Sequence, residues 1–172
     1  MAVTITWVEF NGSETPGSAV GSTTTNINLG SVDSVNLTPA DAKILIGARS
    51  FFKQGLWNTS GSMTSVENFR IHKSAGAYKT EEVLEFSGGG ITASAPDATD
   101  QGWPAIPTSE PSANVILPNT TGGVLQQADQ ESTPGYTSGS RSGLCGFQLL
   151  TTVNTETGAV NEKTITLTYD IT

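Results

Sequence analysis

Glu162–Thr172 reads EKTITLTYDIT, and this stretch decides the fold class. Ile165, Leu167, Tyr169 and Ile171 occupy every second position, with Thr164, Thr166, Thr168 and Asp170 between them. A period of two puts successive side chains on opposite faces of a strand. One face here is apolar and the other wettable, the pattern of an antiparallel strand that lies half on a core and half in water. Just upstream, GLCGFQLLTTV (143–153) sets Cys145, Phe147, Leu149, Thr151 and Val153 on a common face. The intervening NTETGAVNE (154–162) predicts a hairpin between the two strands, with Gly158 free to take a positive φ.

The same alternation opens the chain. In VTITWVEF (3–10), Val3, Ile5 and Trp7 share one face while Thr4 and Thr6 share the other. Apolar runs bounded by turn residues predict further strands at 25–30, 34–37, 49–57, 65–72, 80–86 and 113–118. Thr38 as an N-cap with Pro39 behind it predicts one short helical turn within 38–48. Thr occurs 25 times and Ser 18 times. Thr is stiff at χ1 and suits a pleated strand better than a helix. No internal repeat of about 20–50 residues is visible, which argues against a propeller or solenoid. The reading is all-β: a single antiparallel β-sandwich, Ig-like or jelly-roll, spanning 1–172. Six of the eight prolines fall in 88–142, which reads as an extended, loop-rich excursion, and 11–24 reads as a flexible arm. The excursion still carries Trp103, Ile106, Val115, Ile116, Leu117 and Leu125, which need burial on their own sandwich or on a neighbouring subunit.

The net charge is −8, and it is unevenly placed. Between Thr80 and Ser140 there is no Lys or Arg, yet eight carboxylates fall there: Glu81, Glu82, Glu85, Asp97, Asp100, Glu110, Asp129 and Glu131. Phosphate binding needs a basic stripe, so nucleic acid is excluded as a partner. One cysteine excludes a disulfide framework and a cysteine-cluster zinc site. MAVTITWVEF lacks the basic start and continuous apolar run of a signal peptide, and no stretch nears the roughly 18 apolar residues of a membrane span. The expectation is a protein made in a cytoplasm, with no membrane partner.

His72, the only histidine, lies in NFRIH, where Phe69 and Ile71 face inward and Asn68, Arg70 and His72 face out, so it reads as a surface side chain. KSAGAYKT (73–80) is no phosphate loop, because Tyr78 stands where a glycine must precede Lys79; it reads as a turn at Ser74–Gly76. Cys145 shares its face with Phe147 and Leu149 and reads as a small hydrophobe. Glu81 and Glu85 share a strand face, but nothing marks an apolar pocket for general-acid work. PDATDQG (96–102) lacks the spacing of a calcium loop. Among the tryptophans, Trp7 reads as core, Trp57 ends a strand, and Trp103 in DQGWPAIP is the one in a loop. Four Asn-x-Ser/Thr sequons, at Asn11, Asn36, Asn58 and Asn119, carry no weight without a secretory signal.

NFRIHKSAG (68–76), the aromatic opening strand, the Pro- and Ser-rich middle, CGFQLL (145–150) and the closing ITLTYDIT (165–172) together resemble small virion structural proteins of tailed bacteriophages. The resemblance spans most of the chain through short motifs. It implies an all-β subunit that assembles on a particle as decoration, cement or minor structural protein, and it leaves capsid and tail locations open. It carries no catalytic residues. The expectation is therefore a capsid decoration subunit found in the virion, not an enzyme, with no cofactor and no metal. Its partners would be the major capsid protein and copies of itself, and its candidate interface residues are Trp103, Pro104 and Tyr136. The alternative is a carbohydrate- or receptor-binding module of a phage tail or fibre, with a glycan as ligand.

Overall fold

A computed structural model describes residues 2–10, 22–34, 37–88, 91, 95–112, 142, 144–158 and 161–172. Tyr136, the strand expected at 113–118 and most of the 11–24 arm lie outside these residues. Within them the chain is all-β, with no helix. Seven strands are formed: β1 (Val3–Phe10), β2 (Ser22–Thr24), β3 (Lys53–Gly61), β4 (Val66–Ala75), β5 (Val83–Ser87), β6 (Cys145–Leu150) and β7 (Thr164–Ile171). They make two antiparallel sheets, one ordered β2-β1-β3-β6-β5 and the other β4-β7.

Alternation places the core. Trp7, Leu84, Phe86, Cys145, Phe147 and Leu149 of the larger sheet meet Val66, Phe69 and Ile71 of β4 in one buried cluster. Trp7 sits edge-on to Trp57 at 5.0 Å and to Phe147 at 5.3 Å, and Phe86 lies 4.7 Å from Phe147. Such pairs add about 0.5–1.5 kcal/mol each beyond the area they bury. Ile165, Leu167 and Tyr169 pack against this cluster as predicted, but they stay half-buried, and Ile171 is 47% exposed. A smaller cluster of Val8, Leu56 and Leu144, with Ile91 against it, covers part of the other face of the larger sheet.

Several expectations are corrected. β6 and β7 do not form a hairpin: β6 pairs with β3 and β5, and β7 pairs with β4. Both strands present an apolar row to the same core from opposite sheets, so 151–163 crosses between sheets instead of turning back. Gly158 does take a positive φ, 111°. Residues 25–30 make bends, not a strand, although Ile27 and Leu29 still pack on the core. The strand expected over 49–57 begins at Lys53 and continues to Gly61. Ser50, Phe51 and Phe52 give their N–H groups to Leu149, Gly30 and Asp97. β5 starts only at Val83, because Thr80–Glu81 form a turn in which Glu81 has φ 54°. β4 runs on through Ala75, and Gly76 makes the bend with φ 83°. A Cβ there would lie 2.1 Å from the Glu162 carbonyl oxygen, so only glycine fits. The helical turn after Thr38 is one turn only, with Ala42 N–H donating to the Thr38 carbonyl at 3.0 Å.

The described part of the excursion lies on its own sheets. Trp103 sets its ring over Gly146, where a Cβ would come within 2.1 Å of the indole, and meets Phe52 edge-on at 5.9 Å. Gln148 is fully buried and fastens the same loop, its amide donating to Ser50 and Thr99 carbonyls at 3.1 and 3.0 Å. The chain then follows β5: Phe86 N–H donates to Pro104, Ile106 N–H to Leu84, and Ala105 bridges Glu85. Lys73 N–H of β4 donates to Pro107 at 2.8 Å, so 104–107 bonds to both sheets.

Candidate functional site

Three stretches outside the strands enclose a cleft of about 900 Å³. One wall comes from 26–29 and 37–46, the other from 155–158 and 161–163, and Leu84, Leu149, Thr151 and Ile165 form the floor. Each wall is fixed by a local device. Thr38 and Asp41 hold the first turn, the Thr38 hydroxyl donating to the Asp41 carboxylate at 2.6 Å. These donors keep the Asp41 carboxyl below its ordinary pKa. Ser31 then donates from N–H and hydroxyl to the Asp41 carbonyl, at 2.8 and 2.9 Å.

The second wall is held by charge. Glu82 is buried and accepts from Lys163 Nζ at 2.9 Å and from Lys79 N–H at 2.9 Å. Lys163 also donates to the Asn161 carbonyl at 3.0 Å, and Lys79 Nζ donates to Thr157 at 3.1 Å. Tyr78 lies beneath two ammonium groups, Lys73 at 4.6 Å and Lys163 at 5.5 Å from its ring centre. Burial raises its phenol pKa. Glu81 accepts from the Thr152 hydroxyl and from Asn154 Nδ2 at 3.1 Å, and those donors lower its pKa, Thr152 most. The cleft's buried charges are thus matched to protein groups.

At the rim, two turns present apolar side chains to water. Leu45–Ala48 is closed by Ala48 N–H donating to Leu45 at 3.0 Å, with Gly47 at φ 77°. Thr152–Thr155 is closed by Thr155 N–H donating to Thr152 at 3.1 Å. Thr151 ties the first turn to the end of β6, its hydroxyl donating to Leu45 and Ala48 carbonyls at 3.0 and 2.8 Å. Leu45, Ile46 and Val153 are 76%, 51% and 78% exposed, and Val153 abuts Gly47. Sequence reading missed this rim. It expected Val153 to point inward with Phe147, but β6 ends at Leu150, where Thr151 N–H turns to Ala48.

The residues singled out from sequence are not brought together here. Trp103 and Pro104 lie on the excursion, both half-buried against their own sheet, and Tyr136 is outside the described residues. His72 is opposite Thr166 on the side of β4 away from Ile71, while Cys145 is fully buried in the core. The Cys145 thiol lies 3.5 Å from the Gly88 carbonyl, and burial pushes its pKa up to about 12. Glu85 is pushed up by burial, with Arg49 opposing, and Arg49 also pairs with Asp100 at 2.9 Å. Among the described residues no group of three or more His, Cys, Asp or Glu side chains is placed to hold a metal ion.

A second buried charge cluster lies at the β1 end of the core. Lys53 is 0% exposed, with Nζ 3.0 Å from Asp33 Oδ1 and 3.2 Å from the Ser34 carbonyl. Glu9, also buried, has its carboxyl raised to about 7: burial dominates, Lys53 only partly offsets it, and Asp33 adds repulsion. Neither lysine nor glutamate would be placed inside by a hydrophobicity reading.

Comparison with protein-family models, curated proteins and solved structures finds no match to the chain.

Proposed function

We propose that this chain is a virion structural protein, a capsid decoration subunit whose two sheets form a β-sandwich of Ig-like or jelly-roll type. It works by burying surface against the major capsid protein. The observation that carries the reading is the rim: Leu45, Ile46 and Val153 stand exposed on two adjoining turns, the first braced by Thr151, beside the cleft. Rigid apolar groups at the mouth of a cleft suit an interface centre, where desolvated anchors carry most of the binding energy. The cleft's buried ionic groups are spent on its own walls, which favours recognition over bond-making. The sequence likeness to small phage virion proteins directs the choice of partner. A stable joint needs roughly 800 Å² per side, so the rim would be its centre and the walls its margin. The carbohydrate reading gains no support from Trp103, whose ring is laid on Gly146.

The test is co-sedimentation of the purified chain with assembled shells of the major capsid protein. Wild type should pellet at saturable stoichiometry, and Ile46→Asp with Val153→Asp should remain in the supernatant with an unchanged circular dichroism spectrum. Equal pelleting of the folded variant and wild type would remove the rim from the interface. No pelleting of wild type would remove the decoration reading.

A further inference from the structure

We infer that the outer edge of β7 is a self-association edge, which pairs antiparallel with β7 of a second copy about a two-fold axis. β7 bonds to β4 on one side, and on the other meets no strand among the described residues. The outer strands elsewhere are short or partly occupied. β5 is followed by 104–107, β4 gives Lys73 N–H to Pro107, and β2 is only three residues long. Edge strands are ordinarily protected by bulges, prolines or lysines. Both bulges of the smaller sheet fall on β4, at Glu67/Arg70 and Lys73/Ala75, which leaves β7 regular. From Thr164 to Ile171 there is no proline or lysine, and Asp170 is the one charge.

The second observation is an unfinished apolar row. The core-facing residues of β4 are closed off, with Val66, Phe69 and Ile71 at most 3% exposed. Their counterparts on β7, Ile165, Leu167 and Tyr169, remain half-buried. An added strand would cover them.

The sequence of β7 selects the occupant. Opposed residues in an antiparallel pair share a face, so a two-fold axis normal to the sheet must pass between a residue and its own copy, and Leu167 is central. That register sets Ile165 against Tyr169, Thr166 against Thr168 and Thr164 against Asp170. Apolar residues stay on the core side in both copies, hydroxyls meet hydroxyls, and no like charges are opposed. The narrow sheet then becomes four strands, β4-β7-β7-β4. This inference stands whether or not the partner of the cleft rim is a capsid protein.

Sedimentation equilibrium of the full chain tests it. Wild type should be a dimer, and Thr166→Lys with Thr168→Lys, which sets lysine opposite lysine twice, should weaken it at least about tenfold. Mixing that variant with Thr166→Glu/Thr168→Glu should restore a dimer containing one chain of each. Ile46→Asp with Val153→Asp should leave the dimer intact, which separates this edge from the rim. Should the charged variants fail to fold, hydrogen exchange of wild-type 164–171 decides: its protection should rise with protein concentration. A monomeric wild type, a dimer indifferent to the lysine pair, or exchange independent of concentration overturns the proposal.

Discussion

Replacing Glu9 by glutamine should remove a pH dependence of stability that the wild-type protein carries. Glu9 is buried beside Lys53, whose ammonium group is held by Asp33 and Ser34. The carboxyl pKa is about 7 in the folded chain against 4.5 for a free side chain. The folded state thus binds this proton more tightly than the unfolded state. Stability falls as pH rises from the unfolded value to the folded one, and is level above it. One pKa unit corresponds to about 1.4 kcal/mol, so the loss between pH 5 and 8 is roughly 2–3 kcal/mol. Glu9→Gln keeps the shape and cannot ionise. Urea unfolding at pH 5 and pH 8 reads the difference. With a slope of about 2 kcal/mol/M, the variant's midpoint should gain on wild type by about 1 M as pH rises. Other titrating groups cancel in that comparison. If the gap between variant and wild-type midpoints is the same at both pH values, burial is not controlling Glu9.

Three further outcomes follow from packing. Gly146→Ala should cost about 1–3 kcal/mol by displacing the Trp103 ring, with a red shift in tryptophan emission; unchanged stability would contradict the contact. Lys163→Ala leaves Glu82 buried and unpaired and should cost about 3–5 kcal/mol, much of it recovered by Lys163→Met with Glu82→Gln; denaturant melts of the two variants compare them. Cys145, buried with its thiol pKa pushed up to about 12, should react with a thiol reagent at pH 8 only as fast as the chain unfolds; rapid labelling in native buffer would show an open path to it.

What was legible in sequence was local and periodic. The rows Val3-Ile5-Trp7, Phe69-Ile71 and Cys145-Phe147-Leu149 each declare a face, because a one-residue slip would expose every apolar group at once. Which sheet a strand joins has no such signature. The rows of β6 and β7 look alike, so the step between them reads as a hairpin when it is a crossing. Gly146 reads as a weak spot in a strand, and only the arrival of Trp103 from 43 positions away gives it a purpose. The cleft was hidden for the same reason: Glu82 and Lys163 are 81 residues apart, and each alone resembles a solvated surface charge. The rim was missed because β6 stops at Leu150, three residues before the position where alternation would have carried Val153 inward.

The run from Pro104 to Pro107 has a bearing on how large any assembly can grow. A filament built by adding strands needs two open flanks per molecule, one to give and one to receive. By lying along β5 and offering the Pro107 carbonyl to Lys73 of β4, this short run occupies part of a flank on each sheet. Chains that join through β7 about a two-fold axis spend the same flank on both copies, so that contact closes on itself and stops at two. An insertion that lifted 104–107 away would reopen the closed side, and a finite pair would become the repeating unit of a fibre.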